Sequence, residues 1–564
     1  MGFVFPDNVL GKLTVKIEGI SGELLNNVRA YISLEEKKNE ITLDETGIKK
    51  LYNQAPQEIR KALEVFGYYS PEIISKLETE KNDWIAKFII QPGLPVIVKE
   101  VDFAITGEGK EDKILTSLIA VIKAGDPFNH GLYEKTKRVL LDAAQEHGFF
   151  DAHFTLHKVK IDRTARECVI ILYFDTGPKY YFGRVQFFQE GFDDRYLQRF
   201  VPFKEGEPYS ADKILALRNA LDMSEHFTSV DISLRHELQT NRVIPVKISG
   251  IVRKKYNATT GIGYGTDMGM RGSLEWENRR VDGMGHRFKT KIQASQISKS
   301  IQASYDIPLL LPLTDKLSYQ AGLREELTDT ARTKTTIVGV KRSKKLRSSW
   351  FNTLFLDFQD EFFTVANEKD RSTLVIPGVN WTYTKADALP YPKKGMKLGI
   401  ELKGSEKYIA SSVSFLQAQT SGKIIRQLFG ENRIFIRGEA GTTAVRDFNS
   451  LPPTIRFFTG GDNSVRGFGY NALAPKDENG NVIGGHSLLV GSIEYEIKLF
   501  EKLRISVFYD AGAALDVWKQ YLNKGVGVGL RWRSPVGPIR IDLAFPITDK
   551  ERNYRIHFNM EPDL

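Results

Sequence analysis

Residues 258–564 fall into about sixteen segments in which apolar and polar positions alternate. In Lys397–Lys403, for example, Leu398, Ile400 and Leu402 share one face of the chain. Neighbouring side chains of a strand point to opposite faces, so this period of two predicts β-strands. The polar face carries full charges in segment after segment. An even number of such strands is typical of a bacterial transmembrane β-barrel, and the pattern predicts a 16-stranded one; a soluble sandwich with its polar face outward is the alternative.

The N-terminal half carries a diverged repeat in place of this pattern. Gly67 and Gly148 occupy equivalent positions, each after a helical segment and before two aromatic residues. Each repeat consists of one strand, two helices and then two strands joined by a polar turn. This order predicts tandem α+β domains at residues 11–96, 97–178 and 179–254, with their helices on one sheet face. Edge strands of such sheets can accept a peptide strand, so the domains either handle extended polypeptide or act as spacers, and the two roles are compatible.

Composition narrows the class of protein. The chain has 564 residues and a formal net charge of +9, with 79 basic residues spread along it. A nucleic-acid-binding protein usually concentrates its basic residues in a patch, so nucleic acid is not expected as a partner. Instead, the charge suits anionic lipid headgroups or solubility. No apolar run reaches the ~18 residues of a membrane-spanning helix, which excludes a helical membrane protein but leaves a barrel open.

Cysteine usage and the N-terminus add two expectations. Cys168 is the single cysteine, so an internal disulfide and a multi-cysteine metal site are excluded. It lies in the apolar segment Cys168–Tyr173, which predicts a core strand with a buried, unreactive thiol. Met1–Pro6 lacks the basic and apolar regions of a signal peptide, so an exported chain is expected to be a mature form with an added start codon.

A long polar, glycine-rich loop, residues 447–485, interrupts the strands. Its centre reads Val465-Arg466-Gly467-Phe468, an arginine among apolar residues and glycines. Long loops in compact domains are usually functional or disordered. This composition predicts a loop tip that docks inside the protein, where the guanidinium requires a carboxylate because a buried unpaired charge is costly.

Two strands that follow the loop supply candidate carboxylates for Arg466. Alternation in Leu489–Ile497 places Glu494 and Glu496 on the lumenal face, and alternation in the next strand places Asp510 there. An arginine fork pairs well with carboxylates, so a clamp of Arg466 on Glu494 and Asp510 is one hypothesis. The other is an exposed loop arginine that contributes little.

Three stretches resemble the outer-membrane assembly-factor superfamily, which includes BamA and the two-partner secretion transporters: Val465–Phe468, Phe508–Gly512 and Gly529–Asp542. The N-terminal repeats resemble the POTRA domains of that superfamily. Three repeats, a barrel of this size and the ending Met560–Leu564 most resemble its TamA branch, the outer-membrane subunits of translocation and assembly modules.

The resemblance implies a barrel in the outer membrane of a Gram-negative bacterium, with the POTRA domains in the periplasm and the loop folded inside. It implies the Arg466 clamp and a lateral gate between the first and last strands. Through this gate, unfolded outer-membrane-protein or autotransporter clients would enter the outer-membrane lipid, with a TamB-like inner-membrane-anchored protein as partner. The implied gate residues are Gly261, Gly263 and Gly265 in the first strand and Tyr554, Ile556, Phe558 and Leu564 in the last.

Other function classes remain as alternatives. A two-partner-secretion-type transporter and a passive porin-like channel share the barrel, although a porin needs no periplasmic domains. Catalysis is not expected, because the histidines lack metalloprotease spacing and no nucleophile elbow is present. The glycines at 525, 527 and 529 fail the dinucleotide fingerprint. The sequence therefore predicts no catalytic residues, no metal and no cofactor.

Overall fold

The structure is a computed structural model of the chain. It describes residues 12–39, 44–80, 83–235, 241–346, 349–366, 368–389, 391–516, 521–535, 537–549 and 554–560. The chain divides into two compact units. One holds the first two small domains and part of the third. The other holds the barrel together with segments Phe187–Val201 and Asn219–Asp231 of the third domain.

The N-terminal half contains three small α+β domains, each with a three-stranded sheet. In every sheet the last strand lies in the middle, and in the first two domains it pairs parallel to the first strand and antiparallel to the second. The elements are β1 (Leu13–Glu18), α1 (Gly22–Tyr31), α2 (Ser33–Glu36), α3 (Glu45–Glu64), β2 (Glu72–Glu80), β3 (Asp83–Gln91); β4 (Ile97–Thr106), α4 (Lys113–Ile119), α5 (His130–Glu146), β5 (His153–Asp162), β6 (Glu167–Asp175); β7 (Tyr181–Phe188), α6 (Asp194–Leu197), a 3₁₀ turn (Gln198–Phe200), α7 (Ala211–Met223), β8 (Phe227–Leu234) and β9 (Val243–Val252).

The predicted α+β fold of the repeats is confirmed, with one more helix in the first domain than the predicted two. Ile32 adopts an extended conformation between α1 and α2, so a helical stretch of the sequence becomes two helices. Cys168 lies in β6, the central strand of the second domain, and is 1% exposed. Burial raises the pKa of its thiol to about 11, as expected for an unreactive core cysteine.

The C-terminal half is a closed barrel of sixteen strands, β10 to β25, in which each strand pairs with its neighbours in sequence. The predicted fold class is therefore confirmed. The strands are β10 (Tyr256–Gly265), β11 (Gly269–Asn278), β12 (Arg287–Ala294), β13 (Ser298–Pro308), β14 (Asp315–Leu327), β15 (Ala331–Lys345), β16 (Trp350–Val365), β17 (Glu368–Ala386), β18 (Gly395–Ser405), β19 (Phe415–Leu428), β20 (Asn432–Val445), β21 (Ser487–Lys498), β22 (Leu503–Leu515), β23 (Asn523–Ser534), β24 (Gly537–Pro546) and β25 (Arg555–Asn559).

The alternation of the sequence sets the two faces of the barrel wall. Ile400 and Leu402 are exposed on the outside of β18, whereas Glu401 and Lys403 pair at 3.0 Å on the opposite, lumenal face. The apolar exterior and ionic interior are the reverse of a soluble sandwich. Among the described residues, no helix is both long enough and apolar enough to span a bilayer.

The barrel closes through a seam between its first and last strands. Among the described residues, the β10–β25 ladder consists of the single pair Gly265 and Asn559. By contrast, β10 pairs with β11 over ten residues and β24 with β25 over five. Of the joints between described strand residues, the seam therefore has the fewest paired positions.

The long loop between β20 and β21 packs inside the barrel. Its backbone forms two isolated bridges, Phe457 with Gly485 and Lys476 with Val482, and otherwise has no regular structure. Val465 and Phe468 are buried against Leu488 and Val490 of β21. The loop is therefore a packed plug, and we call residues 447–485 the plug below.

Candidate functional site

Arg466, at the tip of the plug, is 5% exposed and is held by three carboxylates. Its Nε donates to Asp510 Oδ2 at 2.7 Å and its Nη2 to Asp510 Oδ1 at 3.0 Å, a bidentate pair. Its Nη1 donates to Glu494 Oε2 at 2.8 Å and to Asp542 Oδ2 at 3.2 Å. Charge-assisted, bidentate bonds of this kind are the strongest hydrogen bonds in proteins and fix the guanidinium plane.

The aromatic ring of Phe508 lies under the guanidinium, 3.4 Å from its carbon atom to the ring centroid. Phe508 lies two positions before Asp510 on β22, so both side chains face the lumen. The ring gives the cation an apolar face that needs no hydrogen bond, and cation–π attraction strengthens as water is excluded.

A second arginine completes the network. Arg531 Nε of β23 donates to Glu494 Oε1 at 2.9 Å, and its Nη2 lies 2.6 Å from Asp542 Oδ1 as an ion pair. Ser492 donates to Asp510 at 2.6 Å. Two guanidinium groups and three buried carboxylates therefore share one lumenal cluster, which compensates charges that would be costly alone.

Two glycines permit the close approach of the plug to the wall. Gly467 has φ +97°, a left-handed conformation that side chains rarely adopt. A methyl group at Gly525 of β23 would overlap the carbonyl oxygen of Arg466. The chain thus needs glycine on both surfaces of this contact.

The structure brings together the predicted residues Val465, Arg466, Glu494 and Asp510. Glu496, the other predicted lumenal carboxylate on β21, instead pairs with Arg433 at 2.6 Å. Asp542 and Arg531 were not singled out from the sequence as clamp residues. Strand alternation within Gly529–Asp542 is the signal that could have placed them on the lumenal face.

A second network joins the plug to both sides of the seam. Asp462 of the plug donates its backbone N–H to Asp267 Oδ2 at 2.5 Å, in the turn that follows β10. His557 of β25 bonds through Nδ1 to Asp462 Oδ1 at 2.5 Å, and its Nε2 accepts from the Gly467 N–H at 2.9 Å. We call Asp267, Asp462 and His557 the clasp.

Ligand atoms of the clasp lie within 4.8 Å of one another, a spacing that suits a metal ion. However, the Gly467 N–H requires a lone pair on Nε2, so the neutral imidazole carries its proton on Nδ1 and donates it to Asp462. In this arrangement His557 has no lone pair left for a metal, and the clasp is a hydrogen-bond network.

Of the predicted gate residues, Gly265 and Phe558 are the two that the described structure brings to the seam. Gly265 pairs with Asn559, and Thr266 donates to the Phe558 carbonyl at 3.0 Å while its hydroxyl accepts from the Phe558 N–H at 2.7 Å. Gly261 and Gly263 lie earlier on β10, and Tyr554 and Ile556 lie earlier on the last stretch of chain, both exposed on its outside. Leu564 falls outside the described residues.

A cavity of about 760 Å³ lies in the lumen against β10. It reaches Gly261 and Gly263 on the seam side. Its remaining lining includes four cationic side chains, Arg271, Arg324, Lys397 and Lys423. The inner face of the seam therefore borders open lumen beside the plug.

The fold combines a closed 16-stranded barrel, an ionic lumen, an arginine-tipped plug and three small N-terminal domains. These features define the class of outer-membrane barrels with periplasmic POTRA domains. The chain belongs to the Omp85 superfamily, because the model of the Omp85 superfamily domain matches residues 256–561. The model described as POTRA domain TamA domain 1 matches residues 14–92. The surface antigen variable number repeat matches residues 96–175 and 180–249. The barrel lies in the outer membrane and the small domains lie in the periplasm.

Several characterised proteins are similar to this chain. The outer membrane protein assembly factor BamA of Nitratidesulfovibrio vulgaris is 23% identical, over 97% of this chain and 72% of that protein. Outer envelope protein 80 of Oryza sativa chloroplasts is 25% identical, over 54% of this chain and 48% of that protein. The crystal structure of Haemophilus ducreyi BamA lacking POTRA domains 1–3 superposes with a TM-score of 0.72 at 18% identity, over 82% of this chain and 99% of that one, and shows the shared fold.

Proposed function

We propose that this protein assembles outer-membrane proteins: it inserts β-barrel or autotransporter clients into the outer membrane through the seam between β10 and β25. The reaction is physical rather than chemical. Unpaired backbone groups cost several kcal/mol each in lipid, so an opened seam presents two strand edges that template an incoming strand.

The observation that carries the proposal is the short ladder between the described residues of the seam. The single described pair, Gly265 with Asn559, compares with at least five at every other joint of the barrel. Within the described part of the chain, opening the wall there separates the fewest paired residues. Gly261 and Gly263 contribute no side chains that could pack across the seam.

The clasp supports a link between plug and seam. Asp462 contacts Asp267 beside the first strand and His557 on the last, so the plug bridges the joint from inside. We infer that the seam opens fully only after these bonds break. The cavity beside β10 then offers room for a client segment on the lumenal side.

We further propose that the protein belongs to the TamA branch and works with a TamB-like inner-membrane-anchored partner that spans the periplasm. The match of residues 14–92 to a domain model named for TamA supports this branch. The experiment is recovery of the partner with the tagged full chain after crosslinking in cells. Failure to recover a partner of this kind would argue against the TamA branch.

Seam opening is tested by locking it with a disulfide. Gly265→Cys with Asn559→Cys joins the one described residue pair of the seam. The native Cys168 is buried and stays out of the exchange. In proteoliposomes, the oxidised variant should assemble an autotransporter client at least tenfold more slowly, with recovery on reduction, as measured by protease protection of the inserted client.

The matched control is Ser343→Cys with Thr353→Cys, which joins β15 to β16 at a paired position away from the seam, where the two native hydroxyls lie 2.9 Å apart. This crosslink should leave client assembly unchanged. Wild-type assembly by the oxidised seam variant would rule out lateral opening. Passage of client through the lumen of that same locked barrel would favour a secretion transporter instead.

A further inference from the structure

The barrel turns at the end where β10 begins carry exposed apolar tips. Six turns lie at this end from the β11–β12 turn to the β21–β22 turn. Each contains at least one large hydrophobic side chain that is exposed by a third or more. The apolar tips are Val281, Leu310, Leu311, Leu346, Leu389, Phe429, Leu499 and Phe500. Phe429 is 86% exposed and Leu310 is 83% exposed. Hydrophobic burial is worth roughly 25 cal/mol per Å², so such a series of tips is costly in water.

The opposite end of the barrel is mixed. In the three short turns at 266–268, 295–297 and 328–330, no large hydrophobic side chain of the described residues is exposed. Longer connections at that end expose Tyr408, Ile409, Tyr521 and Ile547. Exposed apolar side chains therefore occur at both ends, and what distinguishes the periplasmic end, where β10 begins, is that each turn from β11–β12 to β21–β22 carries one.

Lysines accompany the apolar tips. Five are exposed in or beside the same turns: Lys344, Lys385, Lys393, Lys394 and Lys502. Lys393 lies 4.0 Å from Glu431, and the Asp387 carboxylate accepts from the backbone N–H groups of Lys393 and Lys394. Long basic side chains beside apolar anchors are typical of segments that sit at a membrane interface, where the ammonium reaches the phosphates.

The tips also continue the lipid-facing surface of the wall. Leu428, exposed on the outside of β19, directly precedes Phe429. Ile497, exposed on the outside of β21, precedes Leu499 and Phe500. The apolar surface thus extends from the strands into the turns without a polar break.

We propose that the apolar tips insert into the headgroup–acyl boundary of the periplasmic leaflet, and that the neighbouring lysines bind the phosphates of its phospholipids. The turns then fix the depth and tilt of the barrel from the periplasmic side. Anionic phospholipid strengthens the attachment, because its negative surface potential attracts basic side chains. A protein cap over the same turns is the competing outcome of the test.

The test places a nitroxide on single cysteines of the full chain in a Cys168→Ala background, reconstituted without partner into phosphatidylcholine vesicles with or without phosphatidylglycerol. The probe sites are Phe429→Cys and Phe500→Cys. The control is Asp329→Cys, at the centre of a polar three-residue turn at the other end, matched to the turn that holds Phe429. We expect the probes at 429 and 500 to collide with oxygen and to be several-fold less accessible to an aqueous nickel complex than the control.

A second variant tests the lysines. Combining Lys385→Gln, Lys394→Gln and Lys502→Gln should abolish the additional shielding that phosphatidylglycerol gives to the probe at 429. Nickel accessibility at 429 and 500 equal to that at 329 would overturn the proposal. So would shielding that arises only when the periplasmic partner is added, because the tips would then be a protein-binding surface. None of these outcomes depends on client insertion.

Discussion

At the level of single residues, Arg466 is the side chain whose surroundings are most fully determined. Its guanidinium has hydrogen bonds to three carboxylates and an aromatic face below it. Lysine carries one point charge and cannot reproduce the two parallel bonds to Asp510. The site is therefore specific for arginine rather than for positive charge.

Arg466→Ala should leave Asp510 and Glu494 buried with one cation fewer. Removing one partner of a buried ion pair costs about 3–5 kcal/mol, so the barrel should unfold at a lower temperature and client assembly should fall. Arg466→Lys should recover only part of both. Arg332→Ala is the control, because its pair with Glu325 is exposed and contributes about 0–1 kcal/mol. Equal stability and assembly in Arg466→Ala and wild type would show that the clamp has no role.

Gly525→Ala tests the fit between plug and wall. The added methyl group overlaps the Arg466 carbonyl oxygen, so the plug tip should be displaced without removal of any charge. Limited proteolysis should then cleave within the plug at a protease concentration that spares the wild type. Gly491→Ala, whose added methyl would meet nothing within 4 Å, should behave as wild type. An uncleaved plug in Gly525→Ala would mean that β23 adjusts to the methyl group.

At the level of elements, the clasp connects the plug to β10 and β25. His557→Ala removes the acceptor for the Gly467 N–H and the donor to Asp462. Each lost bond in a buried setting costs about 1–3 kcal/mol. Backbone hydrogen exchange at Thr266 and Phe558 should therefore accelerate, while exchange in the β10–β11 ladder should not. Unchanged exchange at the seam would show that plug and seam are independent.

A pH-sensitive contact lies in the part of the third small domain that belongs to the same compact unit as the barrel. His226 is 4% exposed, bonds to the Tyr196 hydroxyl at 2.7 Å and faces Arg287, whose Nη2 donates to the Ser224 carbonyl at 2.5 Å. Burial, and then the charges of Arg287 and Arg280, lower the pKa of His226 to about 3. The imidazole is therefore neutral in the folded protein at neutral pH.

The unfolded chain binds a proton at His226 near pH 6.5, whereas the folded chain does so only near pH 3. Between these values the unfolded state holds more protons, so the free energy of unfolding should decrease as the pH falls, by at most about 1.4 kcal/mol per pH unit. Above pH 6.5, the contribution of His226 to the free energy of unfolding no longer depends on pH. Thermal unfolding from pH 7.5 to 4 measures it, and His226→Gln, which cannot be protonated, should reduce the slope by that amount.

At the level of the whole molecule, the barrel is a cylinder whose described strands pair least at the joint of β10 with β25. In the chain-entropy account, the Gly265–Asn559 disulfide closes a loop of roughly 290 residues and stabilises by about 6 kcal/mol. The short loop closed by the control pair at Ser343 and Thr353 gives about 3 kcal/mol. The oxidised seam variant should therefore keep its folded electrophoretic mobility to a higher temperature than the control pair. Equal shifts would indicate that unfolding does not begin at the seam.

The sequence alone determined which way each side chain of the wall faces. A strand has a period of two whatever its neighbours are, so the apolar exterior at Ile400 and the lumenal position of Glu494 and Asp510 follow from local alternation. The same reasoning assigned the repeats their α+β elements and Cys168 its core strand. Local order could not distinguish Glu494 from Glu496, because both face the lumen.

Only the tertiary structure decided which lumenal groups meet. Closure of the barrel brings Asp542 of β24 to Arg466, and the path of the plug carries Asp462 to His557, 95 positions later in the chain. These distances depend on strand register and on where a long irregular loop packs, and neither has a local sequence signal. For the same reason, the sparse pairing of β10 with β25 and the row of apolar turns at one end become visible only once sixteen strands are closed into a cylinder.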